Sequence, residues 1–221
     1  MEALKLADYK PTQITDEEIV RRVVAGEKAL FEILMRRYNQ TVFRIVRSYL
    51  KDQDEVEDAM QNSYLKAFDR LYQFQGSSSF STWLIRISIN EALLRLKQIN
   101  RTKRVFFHGD DSQTSSINQI ADKMNPEKAV IRNETKQLLE EAIDRLPEKY
   151  RVIYMLKEVE GLSSPQIQEA LDISESNIKV RLHRAKRLLQ ESLFELTSGG
   201  EVFEFGNSRC DALVNFVMSR I

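Results

Sequence analysis

The feature that most constrains this chain is the spacing of its apolar residues, which recur at steps of three and four, pause for about twenty residues and then resume. Ile19, Val20, Val23 and Val24 share one face of a first helix. Leu30, Phe31, Leu34, Tyr38, Val42, Ile45, Val46 and Tyr49 form a second, ending near Leu50. Val56, Ala59, Met60, Tyr64, Ala67, Phe68 and Leu71 continue as a third, and Trp83, Leu84, Ile87, Leu93, Leu94 and Leu96 as a fourth over Phe80 to Asn100. A period near 3.6 buries one helical stripe and is out of phase with a strand, whose period is two. Start and stop signals agree with this reading. Thr15 with Glu18 three residues later is a capping box, Gly26 closes the first helix, and the acidic run Asp52 to Asp58 suits a helix N-terminus. Gly76-Ser77-Ser78-Ser79 breaks the pattern as a short loop. With seven glycines and four prolines in 221 residues, a sandwich of many short strands would lack its turn residues.

Between Val105 and Asn125 the period disappears and Gly, Asp, Ser, Gln and Asn take over, a stretch too long for a usual connection inside one domain. Asn125-Pro126-Glu127 then supplies a cap, a first-turn proline and a first-turn acid. Helices are predicted over Pro126 to Arg145, Pro147 to Val159 with Gly161 as C-terminal cap, Pro165 to Leu171, and Ser174 to Leu196. The predicted fold is therefore all-α. It comprises two small helical domains over 15–104 and 126–197, a flexible linker over 105–125, and a tail over 198–221. In the tail, Cys210, Leu213, Val214, Val217 and Ile221 fall on one helical stripe. That stripe either packs on the second domain or docks between the two.

Lysine plus arginine equals aspartate plus glutamate at 33 each, so net charge indicates no partner, but the distribution does. Trp83 to Arg104 holds six basic residues (Arg86, Arg95, Lys97, Arg101, Lys103, Arg104) against Glu91. Ser174 to Gln190 holds five (Lys179, Arg181, Arg184, Lys186, Arg187) against Glu175. Two local cationic faces on a neutral chain suit a protein that grips phosphate and releases it. The single Cys210 cannot form an intramolecular disulfide, and two histidines do not complete a zinc site, so a reducing cytoplasm and no metal or cofactor are expected. No basic-then-apolar leader opens the chain and no apolar run is long enough to span a bilayer, so neither secretion nor membrane insertion is expected. There is no phosphate loop and no nucleophile–histidine pair, so no catalytic residue is assigned. His108 falls in the linker and His183 on a basic helix.

The sharpest local signal is Pro165 to Lys186. A capped short helix, a turn at Asp172-Ile173 and a second helix capped by Ser174 have the spacing of a helix-turn-helix. Ile167, Leu171, Ile173, Ile178 and Leu182 would fix the angle between its helices. Glu175, Ser176, Asn177 and Lys179 would reach bases or nearby phosphates, and Arg181, His183, Arg184, Lys186 and Arg187 would supply backbone grip. In the first half, Phe80 to Asn90 combines aromatics, Arg86 and an amide on one helix, a composition suited to stacking on unpaired bases.

Several blocks carry a family resemblance. The acidic run Asp54 to Gln61 is followed by Leu65-x-x-Phe68, Phe74, Gly76 and Phe80-Ser81-Thr82-Trp83-Leu84 through Asn90. This closely resembles the second conserved region of extracytoplasmic-function sigma factors. Leu146-Pro147-Glu148-Lys149-Tyr150-Arg151, Glu160-Gly161-Leu162-Ser163 and Val180 to Lys186 resemble their fourth region, in the same order, over roughly Thr15 to Leu196. The resemblance implies a polymerase-docking helix with Glu57, Asp58, Gln61 and Leu65. It implies a minus-ten DNA site of Gln75, Gly76, Ser77, Ser78, Trp83, Arg86 and Asn90. It also implies a minus-thirty-five reader of Glu175, Ser176, Asn177, Lys179, Arg181, His183, Arg184 and Arg187. Implied partners are core RNA polymerase, promoter DNA and an anti-sigma factor, with a monomer when free. Three positions depart from the family pattern: Gln168 for a small residue at the helix crossing, Asp172 for the turn glycine, and Leu94 for an aspartate. From the residues alone, a helix-turn-helix regulator with an N-terminal sensing domain is the alternative, as is a helical adaptor that never touches DNA.

Overall fold

The computed structural model describes residues 14–106, 126–197 and Met218. The first bundle comprises α1 (Asp16–Val24), α2 (Phe31–Arg47), α3 (Gln53–Asp69) and α4 (Phe80–Phe106), with 3-10 turns at Lys28–Leu30 and Leu71–Gln73. The second comprises α5 (Pro126–Arg145), α6 (Glu148–Tyr154) running into a π-helical turn at Met155–Val159, α7 (Ser164–Leu171) and α8 (Glu175–Thr197). No strand occurs among the described residues, and the all-α expectation holds.

The caps explain the boundaries. Thr15 Oγ1 accepts from the Glu18 amide at 3.3 Å, but the Glu18 carboxylate turns to Arg21 at 2.6 Å, so only half of the expected capping box forms. Asp52 caps α3 by accepting from the Glu55 amide at 3.1 Å, and Ser79 caps α4 by accepting from the Thr82 amide at 3.2 Å. Helix α4 continues to Phe106, beyond the predicted end at Asn100 and two residues into the stretch read as linker. The rest of that stretch, 107–125, lies outside the described residues. So does the tail except for Met218, and with it the predicted stripe of Cys210, Leu213, Val214, Val217 and Ile221.

Most of the predicted stripes are core, but Val24, Leu93 and Leu94 are 52, 42 and 49% exposed, because the inward side of α4 is turned to Ile85, Ile89 and Ala92 instead. Ile19, Leu34, Val42, Ile45, Val56, Phe80, Leu84 and Ile89 are buried where α1 to α4 meet. Ala142, Leu146 and Leu189 tie α5 to α8. The departure from expectation is that the two bundles share a core. Val152, Ile153, Leu156, Leu162, Ile167, Ala170 and Ile178 belong to the same buried cluster as the first bundle.

A polar seam lines this junction. Arg47 on α2 makes a two-pronged pair with Asp144 on α5, at 3.1 and 2.6 Å. Arg151 on α6 is only 5% exposed; its Nε donates to the Ser48 carbonyl at 2.8 Å and its Nη1 to the Asp144 carbonyl at 3.0 Å. The Ser48 carbonyl lies just past the end of α2, where the helix dipole favours a cation. Burial pulls the Arg151 pKa down and Arg47 adds to that, while the carboxylates of Asp144 and, more weakly, Glu148 oppose it. Glu160 accepts from Thr41 Oγ1 at 2.7 Å and from Arg44 at 3.1 Å, and Gln166 Nε2 on α7 donates to Thr82 Oγ1 on α4 at 3.3 Å.

Candidate nucleic-acid and polymerase interfaces

The helix-turn-helix forms as its capping residues dictate. Ser163 Oγ accepts from the Gln166 amide at 3.4 Å while Gln166 Oε1 accepts from the Ser163 amide at 2.8 Å, a reciprocal capping box. Asp172 ends α7 in the left-handed conformation, φ 53 and ψ 47, and is the one residue besides glycine with positive φ among those described. Aspartate tolerates that basin, which is how the turn survives without glycine. Ser174 Oγ then accepts from the Asn177 amide at 3.3 Å and opens α8. Ile167 and Ile178 are fully buried between the helices, with Leu171, Ile173 and Leu182 packed against them.

Because Ile178, Ala185 and Leu189 face inward, 3.6 residues per turn place Ser176, Val180, His183, Arg184 and Arg187 on the opposite side, and all five are exposed. Arg184 donates to the Tyr150 hydroxyl at 3.3 Å and has no carboxylate partner among the described residues. That hydrogen bond, helped by Lys149, holds the Tyr150 phenol below its ordinary pKa. Tyr150, His183, Arg184, Arg187 and Leu188 line a concavity of ≈ 510 Å³. Lys179 is exposed at the flank and pairs with Glu175 at 2.8 Å, which lowers the Glu175 pKa. Asn177 is half-buried. Arg181 is also half-buried and lies away from this face, near enough to the buried Tyr49 to act on its phenol. Val180 and Tyr150 lie in the blocks that carry the resemblance but were not among the expected DNA-contacting residues. Counting turns from Ile178 would have found Val180, whereas nothing local to Tyr150 shows that it meets α8.

In the first bundle, Trp83, Arg86 and Asn90 fall on one side of α4, with Arg86 and Asn90 exposed. Trp83 is half-buried against Phe74 and Phe80, at ring separations of 5.6 and 5.7 Å, so it is both a packed core residue and the floor of this face. The loop residues Gln75, Gly76 and Ser77 are exposed and Ser78 half-buried, leading directly into the same helix end. Gly76 has φ +69, a conformation that favours glycine. Of the residues expected at the minus-ten site, Trp83, Arg86 and Asn90 share a side of α4, and Gln75 to Ser78 form the loop that precedes that helix.

The four residues expected to dock polymerase divide. Glu57, Gln61 and Leu65 line a groove of ≈ 470 Å³ between α2 and α3, floored by Phe31, Tyr64 and Phe68. Leu65 is 63% exposed there. Asp58 turns instead to Arg95 on α4, at 3.3 Å. No group of histidine, cysteine or acidic residues among those described could hold a metal, and no described helix is long and apolar enough to cross a membrane.

Comparison with known proteins agrees with this organisation. The family described as sigma-70 region 2 matches residues 34–102 and that described as sigma-70 region 4 matches 136–189. The chain is 30% identical to the RNA polymerase sigma-H factor of Pseudomonas aeruginosa over 82% of this chain and 95% of that protein. It is 31% identical to the ECF RNA polymerase sigma-E factor of Escherichia coli, with the same two coverages. Among solved structures, the sigma factor RpoE of Bartonella quintana, in complex with the anti-sigma factor NepR, aligns with a TM-score of 0.62 at 21% identity. That alignment covers 74% of this chain and 96% of that one. CnrH, in complex with the cytosolic domain of CnrY, aligns at 0.58 and 19% identity over 84% of this chain and 99% of that one. With both halves matched in order and relatives at this identity covered almost end to end, the chain belongs to the extracytoplasmic-function family of RNA polymerase sigma factors.

Proposed function

We propose that the chain docks on core RNA polymerase, directs it to promoters and helps open them, with residues 15–104 acting at the minus-ten element and 126–197 at the minus-thirty-five element. The observation that carries this reading is the pair of exposed, cation-bearing faces, Arg86 with Asn90 on α4 and Val180 with Arg184 on α8. Each is turned away from its own core. Phosphate contacts hold the register on α8 while neighbouring side chains meet base edges. On α4, the Trp83 floor and Asn90 suit a displaced base, since stacking is worth ~1–3 kcal/mol per base and extrusion costs a few. Binding energy does this work, and no covalent step or cofactor is required. The groove of Glu57, Gln61 and Leu65 is the polymerase-docking surface in this reading, and an anti-sigma factor is the proposed regulator, acting in the cytoplasm as monomeric free factor is captured.

The two elements are centred ~25 base pairs apart, about 85 Å at ~3.4 Å per base pair. In the closed arrangement α4 and α7 are joined by the Gln166–Thr82 hydrogen bond, so engaging both elements requires the seam to break. The chain between Phe106 and Pro126 can extend to at most ~65 Å, enough with the width of the two bundles. Pull-down of purified core polymerase by the full chain tests the reading. Wild type is expected to be retained and Leu65→Glu released, with unchanged circular dichroism. Equal retention of Leu65→Glu would remove the groove from the docking surface, and no retention of wild type would overturn the function.

A further inference from the structure

Successive side chains on α8 are ~100° apart. Measured from Val180, the buried Ile178, Ala185 and Leu189 lie at about 160°, 140° and 180°, so Val180 stands within about 20° of the centre of the face opposite the core. It is 51% exposed and belongs to neither buried cluster. Its neighbours one turn away are Ser176 on one side and His183 and Arg184 on the other. A lone exposed valine needs no explanation by itself. Its position does, because valine is a poorer helix former than the lysine or arginine around it and adds to neither buried cluster there.

The major groove offers one apolar recognition group, the C5-methyl of thymine, and an aliphatic side chain is its complement. Hydroxyl and guanidinium groups gain nothing from that methyl. We infer that Val180 selects thymine at one position of the upstream element by contact with the C5-methyl group, an assignment that rests on the promoter-reading role proposed above. Arg184 and Arg187, on the same face, hold the backbone so that the helix presents Val180 to a fixed base step. Removing one methyl-sized apolar contact weakens binding about fourfold.

The test uses full-length chain with core polymerase. An upstream element is first selected from a randomised duplex pool, and each thymine in the winner is then replaced singly by uracil, which lacks only the methyl. Wild type is expected to lose about fourfold in affinity at one position and nothing elsewhere. Val180→Ala is expected to bind thymine and uracil equally at that position, with the salt dependence of wild type, while Val180→Ile keeps the discrimination. Selected elements whose uracil replacements are all neutral, or a Val180→Ala that retains the penalty, would overturn the assignment. A pool that yields no enriched sequence would overturn the promoter-reading role itself, a different failure.

Discussion

Replacing Asp144 by alanine should unlatch the two bundles. Its carboxylate receives both prongs of Arg47 and lies 3.7 Å from Arg151, so its loss leaves two guanidinium groups at the seam, one of them buried, with Glu148 as the remaining carboxylate acting on Arg151. Breaking a buried ion pair by removing one partner costs ~3–5 kcal/mol, and water reaches part of the Asp144 side chain, which lowers the figure to about 2–4 kcal/mol. At 1.4 kcal/mol per tenfold change, the equilibrium between closed and open forms should shift toward open by roughly thirtyfold to several hundredfold. Arg47→Ala is the control. It removes the first bundle's prong but leaves Asp144 and Arg151 together, so it should open the molecule less and leave the second bundle intact. Small-angle scattering reads the outcome directly: a larger radius of gyration for Asp144→Ala, an intermediate one for Arg47→Ala, and unchanged helical content for both. An Asp144→Ala protein as compact as wild type at physiological salt would refute the reasoning, as would equal opening by both variants.

Three further outcomes follow from individual residues. Asp172→Gly should leave stability unchanged or raise it by up to ~1 kcal/mol, whereas Asp172→Val should lower it by ~1–2 kcal/mol, because the turn holds a left-handed backbone; thermal unfolding measures both. Arg184→Ala should reduce the slope of log affinity against log salt by about 0.9, one phosphate contact. Arg181→Ala, lying off the exposed face, should leave that slope unchanged, and the reverse pattern would exchange their roles. Asn90→Ala should keep fold and polymerase affinity while slowing promoter opening. Permanganate footprinting should then show loss on duplex but not on a pre-melted bubble, and no loss on either would remove Asn90 from the site.

Much of the fold was legible because helix caps and apolar period are local signals. Asp52, Ser163 and Ser174 mark helix starts by the bonds their side chains accept, and Ile167 and Ile178 mark the inward side of the helix-turn-helix. The grouping of Trp83, Arg86 and Asn90 was legible for the same reason, since three residues on one helix face need only its period. The extension of α4 to Phe106 was hidden because Arg101, Lys103 and Arg104 interrupt the apolar stripe on which the prediction relied. The seam was hidden more deeply. Its residues are charged, so a hydrophobicity reading assigns them to solvent, and Arg47 meets Asp144 across a sequence separation of 97 residues. Arg151 lies within the block that carries the family resemblance, yet only the folded structure shows its guanidinium buried against the end of α2. Arg181 was placed with the phosphate-gripping residues by its charge, whereas the helix turn sends it toward Tyr49.

The most direct measurement of the central claim is transcription in vitro with sigma-free core polymerase, the full-length chain and a genomic promoter library, with start sites mapped. The account predicts transcripts that depend on the chain and begin a fixed distance downstream of two shared elements, abolished by Leu65→Glu. Core polymerase that initiates no more specifically with the chain than without it would contradict the account.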